Sequence, residues 1–159
     1  MKLQWKKLLI NLAIPLAVGG LSALLSGSGM EAYGQLQQPP LSPPGWVFPV
    51  VWTVLYLLMG YAAYRVQVAG KGSRELDKAN ILYGAQLFLN FLWSIVFFGL
   101  GWRLTAFFVL LGLWVLILLA IQVFSQIDER AGKLLIPYFL WVSFAGYLNF
   151  GAYLLNRGG

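Results

Sequence analysis

Long apolar runs alternate with short polar segments along the whole chain. Five such runs can be recognised, and none of them contains Asp, Glu, Lys or Arg. Each approaches the roughly 20 residues that a helix needs to cross about 30 Å of hydrocarbon. Because lipid offers no partners for backbone N–H and C=O groups, each run is predicted to be a helix. The predicted helices cover residues 8–25, 47–64, 81–101, 105–124 and 134–155.

The pattern predicts one domain over residues 1–159, an all-α membrane protein built as a bundle of five transmembrane helices. Composition agrees, since 60% of the residues are hydrophobic and 10% are charged, against about 25% charged in soluble domains. No Ala-x-Ala-like site ends residues 1–26, so we interpret them as a retained first helix and not as a cleaved signal peptide. The run 105–124 has the fewest polar groups, and we expect it to face lipid most.

Lys and Arg are distributed unevenly between the two sets of loops, nine against two. The nine are Lys2, Lys6, Lys7, Arg65, Lys71, Arg74, Lys78, Arg130 and Lys133, and the two are Arg103 and Arg157. Positive residues stay on the cytoplasmic side of a membrane. The N-terminus is therefore predicted to be cytoplasmic, with the first loop and the C-terminus outside. The net charge of +6 is explained by topology, and we expect no nucleic-acid partner.

The chain contains neither cysteine nor histidine, which narrows the chemistry available to it. Without cysteine there is no disulfide or thiolate chemistry, and without histidine the commonest metal ligand, haem ligand and general base are missing. We therefore expect no metal site, no obligatory cofactor and no acid–base catalytic site. Ion-coupled transport is also disfavoured, because the five apolar runs hold no ionisable Asp, Glu, Lys or Arg.

Polar side chains recur at helical spacing inside the third predicted helix. Gln86, Asn90 and Ser94 stand at i, i+4 and i+8, and therefore on one face, with Trp93 beside them. Such a stripe either hydrogen-bonds to neighbouring helices or lines a ligand cavity. Both interpretations keep the polar groups away from lipid, and the spacing alone does not choose between them.

The second predicted helix carries an aromatic stripe, Phe48, Trp52 and Tyr56, directly after a proline-rich segment. That segment includes Pro39, Pro40, Pro43, Pro44 and Gly45 within the first loop, residues 26–46. Prolines cannot continue a helix, but they can form a rigid approach to one. Aromatic stripes often belong to a core, yet rings beneath a rigid loop also suit a flat apolar ligand.

The fifth predicted helix aligns Trp141, Ala145 and Asn149 on one face, leaving a notch that could seat a helix or a ligand. A loose sterol-contact pattern follows at Leu148, Tyr153 and Arg157. The last two are equally explained as interfacial anchors. Small residues that could let helices approach in a homodimer occur at Gly19 with Ala23, at Gly84 and at Gly99.

Three blocks together resemble the TspO/MBR family, the tryptophan-rich sensory proteins related to mitochondrial translocator protein. The blocks are QPPLSPPGWVFPVVWTVLY at 38–56, QLFLNFLWSIVFF at 86–98 and LLIPYFLWVSFAGYLN at 134–149. The resemblance covers essentially the whole chain. It implies a five-helix bundle, commonly dimeric, that binds porphyrins and haem-like tetrapyrroles, in some members sterols, and benzodiazepine-type drugs. It also implies a pocket inside the bundle, beneath the first loop.

The resemblance also assigns roles to particular residues. Tyr33 corresponds to the loop tyrosine that closes over the ligand, and Trp52 to the pocket tryptophan. The remaining matches are Gln86 and Asn90 in the third helix, with Trp141 and Ala145 in the fifth. Adding Phe48, Tyr56 and Trp93 from the stripes completes the predicted ligand-binding set.

Three functions follow from these observations as expectations. The first is a binding and sensory protein for tetrapyrroles or similar flat apolar ligands. A second, implied by the resemblance, is light- and oxygen-dependent porphyrin breakdown, in which an oxidisable Trp52 would be the catalytic residue. The third is facilitated transport of porphyrin or sterol.

Overall fold

The structure is a computed structural model that describes residues 3–27 and 29–157, and all regular elements in these ranges are helices. They are α1 (Trp5–Leu25), α2 (Gly29–Gly34), α3 (Val47–Ala69), α4 (Arg74–Ser94), α5 (Arg103–Ile127), α6 (Glu129–Leu134) and α7 (Ile136–Asn156). A π-helical turn, Ile95–Gly99, continues α4. Within the described residues, five helical spans are long and apolar enough to cross a membrane: α1, α3, α4 with its turn, α5, and α6 with α7. The predicted fold class is confirmed.

The helices extend beyond the apolar runs, most clearly at the start of α4. It begins at Arg74 and not near residue 81, because the Ser73 hydroxyl caps it by accepting a hydrogen bond from the Leu76 N–H at 3.2 Å. Glu75 and Asp77 in the first turn also favour a helix N-terminus. An apolar run marks the part of a helix inside hydrocarbon, whereas caps set where the helix begins.

The five spans form a closed ring. α1 packs against α3 and α4, α4 against α5, α5 against α7, and α7 returns to α3. The centre of the ring is filled by side chains from several helices, and Met59, Tyr64, Asn90 and Tyr138 are among those almost fully buried.

Close approach of α1 to α3 depends on a proline and two glycines. Pro15 has no N–H, so the Asn11 carbonyl loses its α-helical donor. Gly60 of α3 lies against this carbonyl, where a Cβ would come within 2.6 Å of its oxygen. A Cβ on Gly19 would overlap the Tyr56 ring. Side chains at either glycine would push the two helices apart.

Among the five membrane-length spans, α1 has the smallest share of buried residues, so the expectation for residues 105–124 was wrong. Of the 21 residues of α1, Pro15 and Ser22 are buried. In α5 a full stripe is buried: Ala106, Leu110, Leu113, Ile117, Ala120 and Phe124. The expectation failed because lipid and neighbouring helices are similarly apolar, so composition does not separate the two environments.

The small residues considered for dimerisation have different surroundings. Gly19 packs on Tyr56, and a Cβ on Gly99 would lie 3.6 Å from the Ser26 Cα, so both face contacts inside the chain. Gly84 is exposed, and a Cβ there would meet no described atom within 4 Å.

Residues 35–46, which we call the lid, contain a tight turn at the first two prolines. The Ser42 N–H donates to the Pro39 carbonyl at 3.3 Å, and Leu41 has a φ of 71°. Pro40 followed by a residue of positive φ defines a type II turn, whose third position normally favours glycine. Gly151 of α7 makes room for this turn, since a Cβ there would lie 2.6 Å from Pro39.

Side chains of α7 hold the lid at two further points. Asn156 forms a reciprocal pair with Gln37: its Nδ2 donates to the Gln37 carbonyl at 2.8 Å, and its Oδ1 accepts from the Gln37 N–H at 3.2 Å. The Tyr147 hydroxyl donates to the Pro40 carbonyl at 2.6 Å.

The end of the proline-rich segment leads directly into α3. The Pro44 carbonyl accepts from the Val47 N–H at 3.0 Å, and the Gly45 carbonyl accepts from the Phe48 N–H at 3.3 Å. Pro43 is partly buried just before this turn. The segment therefore fixes the start of α3 and the position of Phe48.

Candidate functional site

Two residues of the predicted polar stripe meet at the centre of the ring. The Tyr138 hydroxyl donates to Gln86 Oε1 at 2.7 Å and accepts from Asn90 Nδ2 at 2.7 Å. The Tyr56 hydroxyl donates to Asn90 Oδ1 at 3.1 Å. These bonds join α3, α4 and α7. Both polar groups of the Asn90 side chain are therefore hydrogen-bonded to other helices. Of the two interpretations of the polar stripe, Asn90 follows the one in which it bonds to neighbouring helices.

A second hydrogen-bonded chain lies nearer the lid. Trp93 Nε1 donates to Asn149 Oδ1 at 2.9 Å, and Asn149 Nδ2 donates to the Arg103 carbonyl at 2.8 Å. It fixes the Trp93 ring between α4 and α7. The third residue of the stripe, Ser94, lies elsewhere and lines the cleft between α1 and α3.

The space beneath the lid is filled by aromatic rings. Tyr33 lies 5.4 Å from Phe48 and 5.7 Å from Phe98, measured between ring centroids, and Trp93 stacks on Phe97 at 5.4 Å. A void of only about 10 Å³ remains between these rings and the side chains of Ala145, Leu148 and Asn149. A ligand could occupy this space only after side chains moved.

Two buried donors in this region have no hydrogen-bond partner among residues 3–27 and 29–157: the Tyr33 hydroxyl and Trp141 Nε1. The Tyr33 hydroxyl lies near Ser42 without forming a bond of ordinary geometry. Burial raises the pKa of the Tyr33 phenol, opposed in part by Ser42, so it stays protonated at neutral pH. The rings of Tyr33 and Trp141 both contact Phe48, with centroid distances of 5.4 and 5.8 Å. Buried donors of this kind call for an explanation, and a ligand acceptor is one.

A cleft of about 330 Å³ lies between the lid-side parts of α1 and α3, beside this aromatic region. Its lining residues are Leu16, Gly19, Gly20, Ser22, Ala23, Ser26, Gly27, Met30, Phe48, Pro49, Trp52, Thr53, Tyr56, Ser94 and Phe98. The set is mostly apolar and contains no Asp, Glu, Lys or Arg among the described residues. Its rim includes the exposed Leu16, Gly20 and Thr53, which lie on membrane-length helices, so the cleft opens toward lipid.

Trp52 connects the cleft with the interior. Its ring stacks on Tyr56 at 5.6 Å, and lies 6.1 Å from Trp93 and 6.4 Å from Trp141. The indole is partly buried, whereas Phe48 and Tyr56 are buried. Trp52 thus lines the cleft and also packs against aromatic rings of the interior.

The remaining predicted residues do not share one surface. Leu148 is buried under the lid, Tyr153 is partly buried beside Phe150 at 6.0 Å, and Arg157 is exposed. The described residues contain no cluster of three or more Asp or Glu side chains that could hold a metal ion.

Sequence reasoning missed Tyr138 and the glycines of the cleft. Tyr138 precedes Trp141 by three residues, so helical spacing could have placed it on the same face. Gly19 was considered only for close helix approach in a homodimer, and Gly20 carried no signal, since the role of each depends on which helix packs opposite.

Sequence comparison with known proteins identifies the family of this chain. The model of the TspO/MBR family matches residues 11–154. A tryptophan-rich sensory protein of Cereibacter sphaeroides is 41% identical over 157 residues, covering 98% of this chain and 95% of its own length. A tryptophan-rich protein TspO of Chlorobaculum tepidum is 40% identical over 124 residues, or 78% of each chain. Human translocator protein is 35% identical over 141 residues, covering 86% of this chain and 82% of its own.

The family match extends from α1 to the last turns of α7 and includes the lid, the cleft and the central polar network. Five membrane-length helices in the described residues are consistent with it. The chain is an integral, multi-pass membrane protein, and it belongs to the TspO/MBR family.

Proposed function

We propose that this protein binds a flat apolar ligand of the tetrapyrrole class and acts as a membrane sensor for it. The observation that carries the proposal is the position of Trp52, a partly buried aromatic ring that lines an uncharged cleft of about 330 Å³. Ligand sites are typically apolar cavities of roughly 300–1,000 Å³ with a few polar groups. Stacking on an aromatic ring adds about 0.5–1.5 kcal/mol to the effect of buried area.

The unpaired donors of Tyr33 and Trp141 support the same proposal. A ligand lying against Trp52 could extend inward past Phe48, which borders both the cleft and the space beneath the lid. An acceptor on its edge, such as a carboxylate or carbonyl oxygen, would then satisfy the two buried N–H and O–H groups. Phe48 must move for this to happen, so we propose that binding rearranges the cluster under the lid.

Substitution of Trp52 tests the proposal. Porphyrin binding is measured in darkness from the absorbance of protoporphyrin titrated with protein in lipid nanodiscs. Trp52→Phe keeps an aromatic face and is expected to lower affinity by less than about tenfold, whereas Trp52→Ala should lower it further. Trp102→Phe, a change at an exposed tryptophan outside the cleft, is the control. Unchanged binding by Trp52→Ala would refute the role of this ring.

Filling the cleft provides an independent test. A Cβ on Gly20 would meet no described atom within 4 Å, so Gly20→Leu can occupy the cleft without displacing the core. It should lower protoporphyrin affinity more than about tenfold without lowering the melting temperature. Gly84→Leu makes the same change in open space outside the cleft. Wild-type affinity in Gly20→Leu would place the ligand elsewhere.

A further inference from the structure

A second cavity, of about 350 Å³, lies at the end of the bundle opposite the lid. Its lining residues are Tyr61, Arg65, Arg130, Lys133 and Leu134. Three are cationic, and none of the described residues that line it carries a carboxylate. The cavity lies where α3 approaches its end and α7 begins, and therefore at one boundary of the membrane.

The Arg65 side chain is held in place at this cavity. Its Nε donates to Asp128 Oδ2 at 2.6 Å, and its Nη1 donates to the Tyr61 hydroxyl at 3.2 Å. Asp128 Oδ1 accepts the backbone N–H of Arg130 at 3.1 Å, so both carboxylate oxygens have partners. The other guanidinium N–H groups, and the hydroxyl proton of Tyr61, have no partner within residues 3–27 and 29–157. They are preorganised donors that remain available to a ligand.

The two other cations are carried on α6, whose position is also fixed. A Cβ on Gly132 would overlap the Ser125 hydroxyl of α5, so α6 packs directly on the end of that helix. Lys133 forms an ion pair with Glu129 at 3.4 Å, but their side chains are 67% and 79% exposed. Such an exposed pair contributes little, so Lys133 can leave Glu129 at small cost and turn to another anion.

We propose that this cavity binds the phosphate headgroup of an anionic phospholipid. A guanidinium fork with neighbouring cations matches the oxygens of a phosphodiester. Leu134 and the Tyr61 ring add an apolar wall that the glycerol and first acyl carbons would cover, and that inorganic phosphate would leave exposed. Basic pockets between transmembrane helices at the membrane boundary are suited to such headgroups. The proposal is independent of ligand binding in the cleft between α1 and α3.

Lipid retention measures the site directly. The full-length protein is taken from nanodiscs of phosphatidylcholine with phosphatidylglycerol, and native mass spectrometry counts the lipids that stay bound. The double variant R130Q/K133Q removes two charges from the cavity. R74Q/K78Q removes two charges from exposed positions at the same membrane boundary but outside the cavity, and is the matched control. Melting temperatures of both variants show whether folding is preserved.

We expect wild-type protein and R74Q/K78Q to retain one phosphatidylglycerol in preference to phosphatidylcholine. R130Q/K133Q should lower that affinity by about tenfold or more. Equal retention of the two lipids by wild-type protein, or equal losses in the two double variants, would overturn the proposal. Displacement of the retained lipid by millimolar inorganic phosphate would show a free-anion site and overturn the assignment to lipid.

Discussion

At the scale of single residues, Tyr138 is the hydrogen-bonding residue that links α4 to α7 at the centre of the helix ring. One hydroxyl serves both Gln86 and Asn90, and Asn90 also accepts from Tyr56. Hydrogen bonds between membrane helices contribute modestly on average, but a buried group that loses its partner bears a desolvation cost. Tyr138 should therefore matter to stability more than its single polar atom suggests.

Tyr138→Phe is expected to lower the free energy of unfolding by about 1–3 kcal/mol, because Gln86 Oε1 and Asn90 Nδ2 lose their partner. The change is measured by equilibrium unfolding in mixed micelles. Tyr153→Phe removes a hydroxyl for which the described residues supply no hydrogen bond, and should cost far less. Equal free energies of unfolding in the two variants would show that the hydrogen bonds of Tyr138 contribute little to stability.

At the scale of elements, the lid depends on α7. The Asn156–Gln37 pair and the Tyr147–Pro40 bond hold the first half of the lid to one helix, and Gly151 provides the space for the turn that begins at Pro39. None of these partners was anticipated, since they are more than a hundred positions apart in the chain.

Asn156→Leu should loosen the lid without unfolding the bundle. It removes both hydrogen bonds to Gln37, so backbone amides at 36–42 that have exchangeable protons should exchange with deuterium faster, while those of α5 stay protected. Mass-spectrometric hydrogen exchange measures this. Asn80→Leu, the same substitution at an exposed site on the opposite end of the bundle, should leave the lid unchanged. Identical lid exchange in the two variants would show that the Asn156–Gln37 pair does not hold the lid.

The pattern of apolar and polar residues along the sequence predicted the membrane-spanning helices well, but it predicted the candidate ligand site only in part. Five apolar runs identified the five membrane-length helices, and helical spacing placed Gln86 and Asn90 on one face, because both signals are written in neighbouring residues. The partners of that face, and the cleft beside Gly20, arise from which helices pack together. Such contacts join distant parts of the chain, so a periodic pattern on one helix does not specify them.

At the scale of the whole molecule, the ring of helices has two chemically different ends. The lid end has few basic residues, whereas the end with the Arg65 cavity belongs to the side with nine Lys and Arg. The predicted topology, with the N-terminus in the cytoplasm, therefore places that cavity at the cytoplasmic boundary. Homodimerisation stays a prediction, and Gly84 is the candidate that the fold leaves open.

Single cysteines can test the topology, because the natural chain has none. Gly34→Cys lies next to the lid and Lys71→Cys in the loop between α3 and α4, both at exposed positions. A membrane-impermeant maleimide added to intact cells should label the first and spare the second. Ser73 is avoided because it caps α4. Labelling of Lys71→Cys alone would reverse the predicted orientation.

The rim of the cleft between α1 and α3 lies on membrane-spanning helices, which has a consequence for any affinity measurement. A ligand reaching Trp52 through this opening comes from the hydrocarbon phase, so its concentration dissolved in the bilayer governs occupancy. An apparent dissociation constant expressed per volume of water will then rise as more lipid is added at fixed protein. Values from different nanodiscs or detergents become comparable only when they are converted to mole fractions of ligand in the lipid.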